Sequence, residues 1–201
     1  MHNAEQHESA WLAEYFAQYR ACLAQEAVIA KLSELKELMR ATHARGKKVI
    51  LAGNGGSAAI ASHCAVDFTK TAGVRSITFN EPDLITCFAN DYGYALWLQK
   101  ALEFYADDGD LVIVISSSGK SPNMVNAARY AVSRGLTVVT FTGFATDNPL
   151  RAVGQMNFWV DSHSYNVVEM THHIWLLAVC DLLMESAESA AKQESPYGAP
   201  R

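Results

Sequence analysis

Short apolar runs alternate with helix-like segments from Lys47 onward, and this alternation constrains the fold more than any other feature of the sequence. The runs are rich in β-branched residues and nearly continuous in apolar side chains, as is typical of strands covered on both faces. They span residues 48–52, 76–79, 111–116, 137–142 and 157–160. Because helices separate the strands, the pattern predicts an α/β fold with a doubly wound, five-stranded parallel sheet.

The helix-like segments complete the domain organisation. They span residues 57–71, 82–90 with 94–105, 122–134, a short stretch at 149–153, and 166–186. After Ser186 the apolar period is lost and Pro196, Gly198 and Pro200 follow, which predicts a flexible tail. We therefore divide the chain into a helical arm (1–46), a sheet domain (47–187) and a tail (188–201).

The N-terminal arm is predicted to be a pair of helices that ends near Gly46. Its apolar residues recur at helical spacing in two stripes, Trp11, Leu12, Tyr15, Phe16, Tyr19 and Leu23, then Val28, Ile29, Leu32, Leu35, Leu38 and Met39. Two interpretations fit such wide stripes. The pair packs on its own domain, or it forms an interface between copies of the chain.

Composition excludes several classes of function. With 201 residues, half of them hydrophobic, the chain is long enough for one well-packed domain. A net charge of -5 argues against nucleic acid as the main partner, and no uncharged apolar run reaches the ~18–20 residues of a membrane span. The four cysteines form no C-x-x-C pair, which favours reduced thiols and a cytoplasmic protein.

The first strand is followed by a glycine-rich loop, Gly53-Asn54-Gly55-Gly56-Ser57. Ligands of parallel sheets bind beyond the carboxyl ends of the strands, and free amides at the start of a helix favour an anion. The spacing from Gly53 to Ala58 also fits a relaxed dinucleotide fingerprint. A simple strand-to-helix turn is the third interpretation.

The third strand is followed by a serine-rich loop, Ser116-Ser117-Ser118-Gly119-Lys120-Ser121. Ser121 is predicted to be an N-cap and Pro122 the first helical residue, so hydroxyls and amides converge on one helix N-terminus. That arrangement suits a phosphate monoester, although a plain serine-rich turn has the same sequence. Val114 stands where a Walker A loop has its first glycine, which disfavours nucleoside triphosphate chemistry.

Further polar groups lie between these loops and on two helices. Asn90 and Asp91 precede a predicted helix, where they form a cap or bind sugar hydroxyls. His63 and Asp67 are four residues apart on one helix face, as are Glu169 and His173 on another. Two such faces predict either a zinc site or an acid–base pair, and His172 and His173 cannot both face it.

These three loops, in this order and spacing, resemble the sugar isomerase (SIS) domain, and within it the phosphoheptose isomerases. The similarity covers residues 10–183. It implies an aldose–ketose isomerase that interconverts sedoheptulose 7-phosphate and a D-glycero-D-manno-heptose 7-phosphate through an enediol. It also implies a homotetramer with active sites between subunits, and a solvent-facing Lys120. A relative in the same group is a non-catalytic regulatory protein.

The resemblance and the two helix faces together suggest roles for residues, which we keep as predictions. We expect catalytic groups at Asp67, Glu169 and His173, and a zinc ion held by His63, Asp67, Glu169 and His173. The predicted substrate contacts are Asn54, Gly55, Gly56, Ser57, Asn90, Asp91, Ser116, Ser117, Ser118, Ser121 and Asn166. Of these, Ser116, Ser118 and Ser121 are expected to hold the phosphate.

The chain departs from the family pattern at three positions. Asp67 replaces a Glu, Glu169 replaces a Gln, and Leu177 replaces the catalytic His. Either Glu169 and a neighbouring His supply the chemistry in a variant isomerase, or the protein binds sugar phosphates without turnover. A third hypothesis, a dinucleotide-dependent oxidoreductase, depends only on the glycine spacing and leaves the serine loop without a role.

Overall fold

A computed structural model describes the backbone of residues 2–194 and the side chains of residues 5–186. Its five strands form one parallel sheet in the order β2-β1-β3-β4-β5. The strands are β1 (Val49–Gly53), β2 (Ser76–Thr78), β3 (Leu111–Ser116), β4 (Thr137–Gly143) and β5 (Met156–Val160). The predicted doubly wound sheet is confirmed, with strand boundaries within one residue of those predicted.

Helices cover both faces of the sheet. They are α1 (His2–Leu23), α2 (Glu26–Ala44), α3 (Gly56–Lys70), α4 (Pro82–Tyr92), α5 (Trp97–Tyr105), α6 (Pro122–Ser133) and α7 (Tyr165–Glu194). One core forms where α2, α3 and α7 pack on the sheet, and a second forms against α5 and α6 on the other face. The central strand β3 is buried along its whole length, which explains its unbroken apolar sequence.

A buried ion-pair cluster fixes the ends of β1 and β3 opposite the loops described above. Asp110 is fully buried and its carboxylate accepts hydrogen bonds from the backbone amides of Lys48 and Asp107. The Lys48 ammonium lies 2.6 Å from Asp110 and 2.7 Å from Asp107. Each charge here has a partner, so the start of the two strands contains no unpaired buried charge.

Three predicted segments differ from the structure. Residues 149–153 form turns, because the Asn148 side chain bonds the carbonyls of Gly143 and Ala145 and the amide of Arg151. α5 begins at Trp97 where the prediction began at residue 94. α7 continues to Glu194, so the predicted tail begins inside this helix, and residues 195–201 lie outside the described residues.

Of the two interpretations of the N-terminal pair, packing on its own domain is confirmed for α2, and an interface between copies of the chain stays a prediction. α2 buries Val28, Leu32, Leu35 and Met39 in the domain core. α1 packs on α7 through only part of its surface, and it leaves the side chains of Trp11, Leu12 and Phe16 exposed.

Helix α7 closes the first core and lies beside α1, α2 and α3. By length and composition alone, its Tyr165–Ser186 stretch is apolar enough to cross a membrane, yet half of that stretch is buried inside the domain. The core helices of soluble proteins have the same properties. All four cysteines are free, in agreement with the prediction of reduced thiols.

Candidate functional site

A cavity of about 100 Å³ lies at the carboxyl ends of β1 and β3, where the glycine and serine loops meet. Parallel strands bring their carboxyl ends to one edge of a sheet, which is why loops far apart in sequence are adjacent here. The lining consists of Asn54, Ser57, Ser116, Ser117, Ser118, Ser121, Tyr165 and Glu169. All but Tyr165 belong to the predicted site.

The glycine loop brings backbone close to the last helix. Gly55 adopts a φ of 53°, a left-handed conformation that favours glycine. At Gly56 an added Cβ would collide with the carboxylate of Glu169. Glu169 therefore lies directly over the first turn of α3, where unpaired backbone amides favour a negative charge.

The serine loop leaves its hydroxyls directed to the cavity. Ser121 occupies the N-cap position of α6, with Pro122 as the first helical residue, as predicted. Its side chain makes no capping hydrogen bond, so the hydroxyl is available to a ligand. Gly119 turns the loop with a φ of 63°, and Asn148 packs where a Cβ would be. The loop is thus shaped for a small anion.

Glu169 is the one acidic group lining the cavity, and neither Lys nor Arg is among the lining residues. The Ser117 hydroxyl donates to Glu169 Oε1 at 3.4 Å. Burial raises the pKa of Glu169 above its ordinary value, while the Ser117 hydrogen bond opposes that shift. A carboxyl with a raised pKa suits proton transfer near neutral pH. Lys120 is exposed, as expected.

A row of three side chains lies on the neighbouring faces of α3 and α7. His63 Nε2 is 3.1 Å from Asp67 Oδ2, and His63 Nδ1 is 2.8 Å from His173 Nε2. Burial and the nearby His63 lower the pKa of His173, whereas Asp67 raises it. We call these residues the histidine row. Hydrogen-bonded imidazoles beside a carboxylate can pass a proton from one to the next.

His172 and His173 have different surroundings, which answers the question that their adjacency posed. His173 belongs to the histidine row. His172 is fully buried, and its Nε2 lies 3.0 Å from the carbonyl oxygen of Thr142. Burial lowers the pKa of His172 to about 4, so it stays neutral near pH 7. His172 is therefore a structural residue.

The four predicted zinc ligands divide between these two places. Glu169 contacts Gly56 and Ser117, whereas the other three form the histidine row. The facing nitrogens of His63 and His173 are 2.8 Å apart, closer than the roughly 3.3 Å that separates two nitrogens on one tetrahedral zinc ion with Zn–N bonds of about 2.0–2.1 Å. Within the described residues, no group of three His, Cys, Asp or Glu side chains is arranged to hold a metal ion. We derive no chemical step through zinc.

Several predicted substrate contacts lie outside the cavity lining. Asn90 and Asp91 form the last turn of α4 rather than preceding a helix, and their side chains bond each other at 3.0 Å. Asn166 is exposed in the first turn of α7. Leu177, which the resemblance aligns with a catalytic His, belongs to α7 and packs, partly buried, against the first core. The described contacts thus give Leu177 a packing role.

The sequence analysis missed three polar residues at the site. Tyr165 lines the cavity at the start of α7. Asn123 is buried and forms two hydrogen bonds with Asn54, of 3.0 and 2.9 Å. The hydroxyl of Tyr94 donates to the same Asn54 at 3.2 Å. Of the three, only Asn123 could have been identified from the sequence, because it directly follows the N-cap and Pro122 at the serine loop.

Comparisons with known proteins identify the family and the fold. A family model for the SIS domain matches residues 14–143. The chain is 38% identical to a phosphoheptose isomerase of Burkholderia pseudomallei (strain K96243) over 129 residues, which are 61% of this chain and 66% of the relative. It is 33% identical to that of Thermodesulfovibrio yellowstonii over 82% of this chain and 88% of the relative. The structure of a phosphoheptose isomerase from Neisseria gonorrhoeae has the same fold, with a TM-score of 0.80 at 24% identity over 90% of this chain and 99% of the other.

Proposed function

Because the chain belongs to the SIS domain family and, within it, to the phosphoheptose isomerases, we propose that it catalyses the aldose–ketose isomerisation of a sugar phosphate. The preferred substrate is sedoheptulose 7-phosphate, with D-glycero-D-manno-heptose 7-phosphate as product. One observation carries the proposal, namely the cavity in which Glu169 lies beside the serine loop. It combines a place for a phosphate with a group that moves protons.

The serine loop holds the phosphate in this proposal. Ser116, Ser118 and Ser121 donate hydroxyl hydrogen bonds, and the N-terminus of α6 adds its backbone amides and dipole. No cation lines the cavity, so these neutral donors supply the attraction. Asn54 and Ser57, on the opposite wall, bind the oxygens of the sugar. This division explains how a chain with a net charge of -5 takes an anionic substrate.

Glu169 is the base that removes the proton from the carbon beside the carbonyl group. This leaves an enediolate, in which a second group moves a proton from the hydroxyl oxygen to the former carbonyl oxygen. Protonated Glu169 then returns its proton to the adjacent carbon, which gives the aldose. His173 does not line the cavity, but it lies one helical turn from Glu169 on the same face of α7 and is linked to His63, so we assign it this second role. Glu169 and His173 together thus supply the proton transfers that the alkyl side chain of Leu177 cannot. Asp67 keeps the far nitrogen of His63 bonded.

The quaternary structure and location belong to the same proposal. The exposed Trp11, Leu12 and Phe16 of α1 support association with further copies, and we expect a homotetramer in the cytoplasm. Sedimentation analysis of the pure protein measures this directly. A monomer at micromolar concentration would contradict the expected assembly.

Turnover of a sugar phosphate tests the proposed function. The pure protein is incubated with sedoheptulose 7-phosphate and a panel of other ketose phosphates, with added zinc and with a chelator, and the aldose product is followed. We expect product from the heptose phosphate. Turnover that depends on added zinc would support the predicted zinc ion. Equal turnover rates with zinc and with a chelator would show that the reaction needs no zinc. No turnover of any substrate would contradict the isomerase.

The second candidate is a sugar-phosphate-binding protein without catalysis. Leu177 favours it, because an alkyl side chain at the family's acid position transfers no proton. This candidate predicts tight binding of the same ligands without product. Product formation at enzyme-like rates would exclude it.

A further inference from the structure

Asn123 occupies an unusual position for a residue that the proposed function does not use. It is the second residue of α6, beside the serine loop, and only 1% of its surface is exposed. Its carboxamide donates to Asn54 Oδ1 at 2.9 Å and accepts from Asn54 Nδ2 at 3.0 Å. The two residues are 69 positions apart, so this pair joins the glycine loop to the serine loop.

The hydrogen-bonding capacity of Asn54 is almost filled by protein partners. Its Oδ1 accepts from Asn123 and from the Tyr94 hydroxyl, which together use both lone pairs. Its Nδ2 donates one N–H to Asn123. One N–H of Asn54 is left without a described partner, and Asn54 lines the cavity. The amide therefore presents a donor, and no acceptor, to a ligand.

A fixed donor has a definite chemical use in an enediol reaction. Negative charge develops on the sugar oxygens as the proton leaves carbon, and an oriented N–H stabilises it without reorganising. A free asparagine would alternate between presenting its N–H and its oxygen. The pairing with Asn123 opposes that alternative, because rotation of the Asn54 amide alone would set the two Oδ1 atoms against each other and the two Nδ2 atoms against each other.

We propose that Asn123 is a positioning residue, which fixes Asn54 as a hydrogen-bond donor to an acceptor oxygen of the bound sugar. The inference rests on the proposed binding of a sugar phosphate in the same cavity. Asn123 itself touches no ligand in this account. It acts through Asn54, and Tyr94 assists from the exposed side.

The test measures binding of two probes, sedoheptulose 7-phosphate and inorganic phosphate, by calorimetry. We expect Asn123→Leu to lower the affinity for sedoheptulose 7-phosphate about tenfold or more, because one hydrogen-bond donor to the sugar is misoriented. Inorganic phosphate, which needs only the serine loop, should bind within about threefold of wild type. Asn157→Leu is the matched control, because it removes a carboxamide bonded to Thr140 and Thr142, away from the cavity.

Tyr94→Phe keeps the proposal testable if Asn123→Leu does not fold, because Tyr94 is exposed and its loss threatens no core. Tyr94→Phe should lower the affinity for the sugar phosphate severalfold and leave the affinity for inorganic phosphate unchanged. If every variant that folds binds the sugar phosphate as tightly as wild type does, Asn123 does not position Asn54. An equal loss of affinity for sedoheptulose 7-phosphate and for inorganic phosphate would also overturn the proposal. It would mean that Asn123 supports only the serine loop.

The outcome for the wild-type chain separates this proposal from the proposed function. A wild-type chain that binds neither a sugar phosphate nor its phosphate group would overturn both. A wild-type chain that binds and turns over the sugar, together with unchanged variants, would overturn the role of Asn123 alone.

Discussion

The cavity and the histidine row present two different chemical environments within one chain. The cavity is enclosed by loops and contains hydroxyls, amides and the single carboxyl of Glu169. The histidine row is more open, and the side chain of His63 is 49% exposed. Glu169 has a raised pKa and His173 a lowered one, in both cases chiefly through burial. Burial thus favours the neutral form of both groups, the protonated carboxyl of Glu169 and the unprotonated imidazole of His173.

The largest effect should come from Glu169. We expect Glu169→Gln to lower the turnover of sedoheptulose 7-phosphate by about 10²–10⁴-fold, because the amide cannot accept the proton from carbon. Glu185→Gln, an exposed change on the same helix, is the control. Steady-state kinetics of both variants measures the difference. Unchanged activity in Glu169→Gln would mean that Glu169 is not the base.

The histidine row should show a smaller kinetic effect. We expect His173→Gln to lower kcat about 10–100-fold with a smaller change in KM, because the row moves a proton and does not hold the phosphate. His63→Gln should resemble it, since His63 is the direct partner of His173. A rise in KM alone would mean that the row binds substrate instead.

Stability should depend on pH through His172, which lies outside both regions. Its pKa falls from 6.5 to about 4 in the folded protein, so the fold favours neutral imidazole. The stability this contributes is complete above pH 6.5 and is lost as the pH falls toward 4, by about 3 kcal/mol at most. Urea unfolding at several pH values measures it. His172→Leu should lack this component, whereas the exposed His7→Leu should keep it.

The smallest effect concerns the hydrogen bond from Ser117 to Glu169. This bond lowers the pKa of Glu169 against the effect of burial. We therefore expect Ser117→Ala to raise the Glu169 pKa further, so that the acidic limb of the pH–rate profile moves to higher pH. The profile of kcat/KM against pH records that shift. A limb that stays in place would separate Ser117 from the ionisation of Glu169.

The fold and most of the cavity could be predicted from the sequence for a physical reason. Buried parallel strands need apolar side chains throughout, and their carboxyl ends meet at one edge. Loops 53–57 and 116–121 were therefore expected at one edge of the sheet, and the pairing of β1 with β3 makes them neighbours. The alternating pattern contains that information locally.

Other features depend on tertiary contacts that no local pattern contains. Helical spacing placed Glu169 and His173 on one face, but only the position of α7 over the glycine loop brings Glu169 against Gly56. The pair of Asn54 and Asn123 forms across 69 residues. Residues 149–153 have a helical composition, yet the Asn148 side chain holds them in turns.

An enediol isomerisation in the cavity takes a proton from one carbon of the sugar and places a proton on its neighbour, where solvent deuterium can be detected. The protein is incubated with sedoheptulose 7-phosphate in D₂O, and the sugar is followed by proton NMR and mass spectrometry. Our account predicts an aldose phosphate that has gained deuterium at the carbon that receives the proton, formed by the wild-type chain and not by Glu169→Gln. Recovery of the ketose phosphate bound but unchanged, with neither product nor deuterium, would contradict it.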